Sequence, residues 1–73
     1  MTGYKYTTEA DAQGAVAQCD THYGYPKQDA VTQHWCAYQH SELDGFYYIA
    51  HDETIEVLLG EPETFDVTMP ELN

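Results

Sequence analysis

Apolar residues recur at helical spacing near the start of the chain. The positions that share one face lie three or four residues apart: Ala12, Ala15, Val16, Cys19 and Tyr23. Thr8, with an acidic residue three positions later at Asp11, resembles the capping box that begins a helix. Gly24 suits the left-handed position that ends a helix, and Pro26 prevents its continuation. The pattern predicts a helix from Glu9 to Tyr23 that packs closely through its small residues.

The rest of the chain has the β-branched and aromatic content typical of strands. Turn residues at Asp44-Gly45, at 51–54, and at Gly60 with Pro62 separate the apolar segments. The predicted strands are residues 4–7, 31–39, 46–50 and 55–59, with 65–68 as a candidate fifth strand. The order β-α-β-β-β predicts an α+β fold, with one helix packed on a small antiparallel meander.

Side chains alternate along strands, so the predicted sheet has two apolar faces. A short turn at 52–53 would pair Ala50 with Ile55, and a five-residue turn before Phe46 would add Cys36 and Tyr38 to the same face. The residues under the helix would then be Cys36, Tyr38, Phe46, Tyr48, Ala50, Ile55, Val57 and Leu59. The opposite face would carry Trp35, Ala37, Tyr47, Ile49 and Leu58. One helix covers one face, and exposed apolar patches mark interfaces. We therefore expect partner contacts at Trp35, Tyr47, Ile49 and Leu58, although a register shift of one residue would exchange the faces.

Charge limits the choice of partner. The 73 residues, which form one domain, contain 13 acids against Lys5 and Lys27, for a formal charge of −11. Direct binding to nucleic acid or to an anionic membrane needs a basic surface, so we expect neither. A protein partner or self-association is expected instead, with a basic protein favoured. The first residues contain no apolar leader and no run is long enough to span a membrane, so we expect a cytoplasmic protein.

Two cysteines and two histidines could form a tetrahedral zinc site, because Cys19 precedes His22 by three residues and His34 precedes Cys36 by two. The spacing is not that of a zinc finger, and free cysteine is a common core residue. We expect no metal and two reduced thiols, with a Cys19–Cys36 disulfide as the alternative.

Catalytic patterns are weak. A cysteine with a histidine and a carboxylate could act as a nucleophile, but no local signature flanks either cysteine. The chain has neither a glycine-rich dinucleotide motif nor a phosphate-binding loop. We therefore expect no enzymatic activity, no catalytic residue and no cofactor.

The acids and aromatics each have two interpretations. From Glu42 onward there are nine acids and no Lys or Arg, which is typical of a solubilising surface. Arranged in rows, the same acids could mimic nucleic-acid phosphates and inhibit a host nucleic-acid-binding protein. The aromatics at Trp35, Tyr38 and 46–48 are typical of a core, but Tyr and Trp are also enriched at interface hot spots.

The chain has an acidic, tyrosine-rich composition and two characteristic stretches, which are residues 19–26 and residues 44–49 with their continuation at 57–62. In these features the chain resembles small uncharacterised proteins of tailed bacteriophages. The resemblance implies an accessory or virion-associated protein and transfers no catalytic residue. The sequence as a whole therefore predicts a non-enzymatic protein-binding module, with the acidic nucleic-acid-mimicking inhibitor as the alternative.

Overall fold

A long helix packs on one side of a four-stranded antiparallel sheet, which confirms the predicted α+β class. The computed structural model describes residues 1–24 and 36–67. Within these residues the elements are, in chain order, β1 (Thr2–Tyr6), α1 (Glu9–Tyr23), β2 (Tyr38–His40), β3 (Tyr47–Ala50), α2 (Glu56–Leu59) and β4 (Glu63–Thr64).

The sheet has the order β2-β3-β1-β4, so the N-terminal strand lies inside it rather than at its edge. Strand β1 pairs with β3 from Gly3↔Ala50 to Tyr6↔Tyr47, and with β4 at Thr2↔Thr64. A Cβ at Gly3 would collide with the carbonyl oxygen of Ile49, so the close approach of β1 and β3 requires glycine there. The strand order of the predicted meander is therefore wrong. The meander placed residues 55–59 beside β3, but β1 occupies that position.

The bounds of α1 agree with the prediction at both ends. The Thr8 hydroxyl accepts a hydrogen bond from the backbone N–H of Asp11 at 3.2 Å and caps the first turn. Gly24, with φ of 81°, donates its N–H to the carbonyl of Asp20 at 2.7 Å and ends the helix. The predicted apolar stripe is confirmed by its burial, because Ala12, Ala15, Val16 and Cys19 are all buried.

The strand predicted over residues 55–59 is wrong. Ile55 is the N-cap of the short helix α2, and Glu56–Leu59 form the helix itself. The Asp52 carboxylate accepts the N–H of Thr54 at 2.8 Å, and the Asp52 carbonyl accepts the N–H of Ile55 at 3.1 Å. Burial then follows a helical period, since Ile55, Leu58 and Leu59 pack on the core while Val57 is 81% exposed. A short apolar run satisfies either period, and here the helical period is the one that matches the observed burial.

The register places Ile49, not Tyr48, under α1. Ile49 pairs with Tyr4 of β1 and Tyr38 of β2, and directly paired residues share a face. The core under the helix consists of Tyr4, Ala15, Val16, Cys19, Ile49 and Ile55. The predicted face assignment is therefore wrong by one residue along β3. It is correct for Cys36 and Tyr38, which pack against this core.

The opposite face of the sheet is covered at its centre by the chain itself. Tyr48 is 2% exposed, and the Phe65 ring meets it edge-on with centroids 5.4 Å apart. The Tyr48 hydroxyl donates to Asp44. The Phe65 N–H donates to the carbonyl of Met1 at 2.7 Å and holds this segment beside β1. The expected bare second face is thus closed by a segment that follows β4.

Two predicted strands are only partly described. The segment 31–39 is represented by β2, which begins at Tyr38, while 31–35 lie outside the described residues. The candidate strand 65–68 is displaced toward the N-terminus, because the pairing with β1 occurs at β4. Residue 68 lies outside the described residues.

Candidate functional site

The three predicted contact residues that the structure describes do not form one exposed surface. Trp35 lies outside the described residues. Ile49 is fully buried beneath α1, and Leu58 is half-buried against the same core. Tyr47 is half-buried on the helix-facing side of β3. Among the described contact residues, Tyr47 therefore best retains the character of a surface aromatic.

Tyr47 belongs to an aromatic cluster at one end of the sheet. We use this name for Tyr6, Tyr38, His40 and Tyr47. Tyr6, Tyr47 and His40 are register partners across β1, β3 and β2 and so share one face. The His40 and Tyr47 rings stack with centroids 4.7 Å apart, and Tyr38 lies 6.3 Å from Tyr47. His40 is exposed and the three tyrosines are half-buried, so the aromatic cluster presents ring surface to solvent.

The start of α1 lies beside this cluster. The Tyr38 hydroxyl donates to a carboxylate oxygen of Glu9 at 2.7 Å and accepts from the Gln13 side-chain amide at 2.9 Å. The hydrogen bond to Glu9 is the main reason that the pKa of Tyr38 is raised above 10.0. Glu9 is exposed in the first helical turn, so a carboxylate is held at the rim of the aromatic cluster.

Sequence reasoning named Tyr47 but missed Tyr6 and His40 as candidate site residues. Tyr6 is remote from Tyr47 in sequence and His40 lies seven residues before it, and the three meet because β1 and β2 pair with opposite edges of β3. A correct register for β3 would have revealed the alignment.

A cleft of about 360 Å³ lies between α1 and the chain that enters β2. It is lined by Gln13, Val16, Ala17, Asp20, Cys36, Ala37 and Tyr38. Its volume falls in the range of small-ligand pockets. Burial is the main reason that the pKa of the Cys36 thiol is raised to about 12. This thiol is therefore protonated at neutral pH and is a poor nucleophile.

The two cysteines are free thiols that contact each other. Cys19 is fully buried in the core and Cys36 is half-buried, and their side chains are hydrogen-bonded. Burial also raises the pKa of Cys19. Cys19 and Cys36 are therefore neighbours, but they form a pair of free thiols and not the alternative disulfide.

The metal hypothesis gains no support from the geometry of the described residues. Within 1–24 and 36–67, no group of three or more His, Cys, Asp or Glu side chains is placed to hold a metal ion. His22 is exposed and packs edge-on against the Tyr23 ring at 4.6 Å. His34 lies outside the described residues.

Acidic side chains dominate the described surface. The exposed ones are Glu9, Asp11, Glu42, Asp44, Asp52, Glu53, Glu61, Glu63 and Asp66. Glu56 is half-buried and lies 3.1 Å from the His51 ring nitrogen. Lys5 is the single Lys or Arg of the described residues, and its ammonium lies 4.0 Å from the centroid of the Phe46 ring. The surface field is therefore negative with little internal compensation.

Asp44 is the best-anchored of these acids. It accepts hydrogen bonds from the Tyr48 hydroxyl and, at 3.0 Å, from the backbone N–H of Phe46. These two bonds, in that order, hold the pKa of Asp44 below 3.8, with smaller contributions from a hydrogen bond to Ser41 and from Lys5. Asp44 thus keeps its negative charge well into the acidic range.

No protein-family model, curated protein or solved structure matches this chain. The described residues also contain no helix of the length and apolar character needed to traverse a bilayer. The functional interpretation therefore depends on the aromatic cluster, the cleft and the distribution of charge.

Proposed function

We propose that this chain is a non-enzymatic protein-binding module whose partner presents a basic surface. The observation that carries the proposal is the set of nine exposed carboxylates against a single described lysine, Lys5. Lys5 is itself held over the Phe46 ring. A surface of one sign steers an oppositely charged partner toward it and accelerates association.

Charge also favours a different protein over a second copy as the partner. Two copies would each bring a formal charge of −11 to the interface. Like charges placed against each other oppose association. Self-association through the acidic surface is therefore disfavoured.

The protonated thiols support binding rather than nucleophilic chemistry. Cys36 lines the cleft, but with a pKa of about 12 it supplies little thiolate at neutral pH. The cleft is then a surface feature of the module and not a reaction centre.

A phage-type accessory or virion-associated role fits this proposal. The resemblance of 19–26, 44–49 and 57–62 to small proteins of tailed bacteriophages supports it, as does the acidic, tyrosine-rich composition. Such a protein would be made in the cytoplasm of the producing cell and would engage a host protein or a virion component.

An acidic inhibitor that occupies the nucleic-acid site of a host protein is the second candidate. The exposed side chains of Glu61 and Glu63 favour it, because Glu63 lies on the edge strand β4 and Glu61 precedes it by two residues. Alternate positions along an extended strand are about 6.6 Å apart and can follow a phosphate backbone.

Affinity capture at two salt concentrations tests both candidates. The immobilised full chain is exposed to host lysate at about 50 mM and about 500 mM sodium chloride, and captured proteins are identified by mass spectrometry. We expect a basic protein that is released by salt and that binds the chain again when both are purified. A purified partner that binds equally well at both salt concentrations would contradict the proposal.

Competition with duplex DNA separates the two candidates. If the chain mimics nucleic acid, DNA of unrelated sequence should displace it from the purified partner. If it is a module of the first kind, DNA should displace it no better than polyglutamate of equal charge, because both act only through their negative charge. The paired substitution Glu61→Gln and Glu63→Gln should weaken binding more than Asp52→Asn and Glu53→Gln if the β4 acids form the mimic. The two pairs remove the same charge from different surfaces, so each serves as the control for the other.

A further inference from the structure

We propose that the aromatic cluster and the carboxylate of Glu9 dock an arginine side chain of the basic partner. This inference rests on the proposed function, because it specifies where and how the partner is recognised. Tyr38 links the two parts of the site, since its ring lies 6.3 Å from Tyr47 and its hydroxyl bonds Glu9 at 2.7 Å.

The rings and the carboxylate match the two ways in which a guanidinium binds. Its flat face stacks on an aromatic ring, and its N–H groups donate in parallel to a carboxylate. A carboxylate has about four acceptor sites, so the hydrogen bond from Tyr38 to Glu9 leaves capacity for a further donor. The exposed His40 ring stacks on Tyr47 and is the outermost ring of the aromatic cluster.

The chain already holds one cation over an aromatic ring. The Lys5 ammonium lies 4.0 Å from the Phe46 ring centroid, on the face of the sheet opposite to the aromatic cluster. Lys5 is thereby separated by the sheet from Tyr47. The aromatic cluster has matching rings on the other face and draws its cation from outside.

The occupant must come from another protein. The sequence contains two basic residues, Lys5 and Lys27, and no arginine at all. A second copy therefore cannot supply a guanidinium to the aromatic cluster. Arginine is favoured over lysine because its planar guanidinium lies flat on a ring and donates two parallel hydrogen bonds to a carboxylate, whereas the ammonium is a compact, strongly hydrated point charge.

The test compares an oligoarginine peptide with an oligolysine peptide of equal length, each fluorescently labelled, binding to the full chain at fixed ionic strength. Long-range charge attracts both peptides, so their ratio of dissociation constants isolates the stacking and bidentate contacts. We expect oligoarginine to bind tighter by about two- to fivefold for one such contact.

The substitution Tyr47→Leu keeps an apolar side chain but removes the ring, and it should bring the ratio close to one. Glu9→Gln should reduce the ratio, whereas Glu63→Gln, which removes an equal charge elsewhere, should weaken both peptides alike. Val57→Ala, an exposed apolar change on α2, should alter neither peptide.

Folding is checked by circular dichroism for each variant. If Tyr47→Leu does not fold, His40→Ala takes its place, since His40 is exposed. In the wild-type chain, oligoarginine should also shift the NMR signals of the His40 and Tyr47 rings more than oligolysine does.

Failure of the inference differs from failure of the proposed function. If both peptides bind in a salt-sensitive way but the ratio is unchanged by Tyr47→Leu and by His40→Ala, the arginine site is wrong and the acidic module remains. If neither peptide binds at low salt, both the site and the basic partner are wrong.

Discussion

Tyr48 is the residue that closes the side of the sheet away from α1. Its ring is buried beneath Phe65, and its hydroxyl donates to Asp44. Burial, followed by the hydrogen bond to Asp44, raises the pKa of Tyr48 from 10.0 to about 12. The neutral phenol is therefore the form that the fold stabilises.

The stability contributed by the neutral phenol should disappear in strong base. Because the pKa of Tyr48 is higher in the folded chain than in the unfolded chain, this contribution is complete below about pH 10 and is lost as the pH rises through about 12. We expect the free energy of unfolding to fall across this range in urea titrations. Tyr48→Phe should lower stability at neutral pH but make the alkaline decline shallower.

A double-mutant cycle isolates the hydrogen bond. Asp44→Asn removes the charge of the acceptor and Tyr48→Phe removes the donor of the charge-assisted bond, so the double variant should be less destabilised than the sum of the single changes. Strict additivity would show that Tyr48 stabilises the fold through burial alone.

The two thiols should be protected from alkylation in the folded chain. Alkylation requires the thiolate, and burial raises the pKa of both Cys19 and Cys36. We expect iodoacetamide at about pH 8 to label the folded chain slowly and to label both cysteines rapidly in denaturant. Rapid labelling of one cysteine in the folded chain would contradict the buried environment. Failure to label either cysteine in denaturant without reductant would indicate the disulfide.

Among the elements, α2 shows how packing selects between helix and strand. Ile55 is buried in the core, whereas Val57 projects into solvent and is 81% exposed. The Tyr4 hydroxyl donates to the carbonyl of Gly60 at 2.8 Å and fixes the end of α2 against β1. A strand over the same residues would have buried Ile55 and Val57 on one face.

Alanine substitutions at Ile55 and Val57 test whether this segment is a helix or a strand. Ile55→Ala should lower the free energy of unfolding by about 2–5 kcal/mol, because it leaves a cavity in the core. Val57→Ala should change it by no more than about 0.5 kcal/mol, because the side chain is exposed. Urea unfolding provides both values. Similar large losses at the two positions would favour the strand.

The whole molecule carries a charge that its described residues barely compensate. The formal charge is −11, and the acids extend from the first turn of α1 to Asp66 after β4. Self-repulsion on this scale keeps a protein soluble but destabilises its compact state. Added salt therefore affects solubility and stability together, because it screens the repulsion on which both depend.

We expect the melting temperature to rise between about 10 mM and about 300 mM sodium chloride, because the Debye length falls to about 10 Å at 0.1 M. Scanning calorimetry at constant pH provides the measurement. Choline chloride at matched ionic strength is the control for specific sodium binding. A flat or falling melting temperature would show that the acids are already compensated, for example by a bound cation.

Local signals in the sequence determined α1 and the fold class. The Thr8 cap, the small-residue stripe and Gly24 all act within one or two helical turns, so their effects can be read without knowledge of the remaining chain. The acidic character also follows from residue type and number. These features depend on short-range geometry or on composition, whereas Tyr47 was predicted as a contact from a face assignment that the register of β3 reverses.

Tertiary structure decided the faces of β3, the helical form of α2 and the assembly of the aromatic cluster. Tyr47, Tyr48 and Ile49 are consecutive and apolar, so their alternation fits a core on either side of the strand. The pairing of β1 with β3 put Ile49 under α1 and left Tyr48 to Phe65. The pairing of β1 with β3 brought Tyr6 to Tyr47, and the pairing of β2 with β3 brought His40 to it. Such contacts depend on which strands become neighbours and in which register.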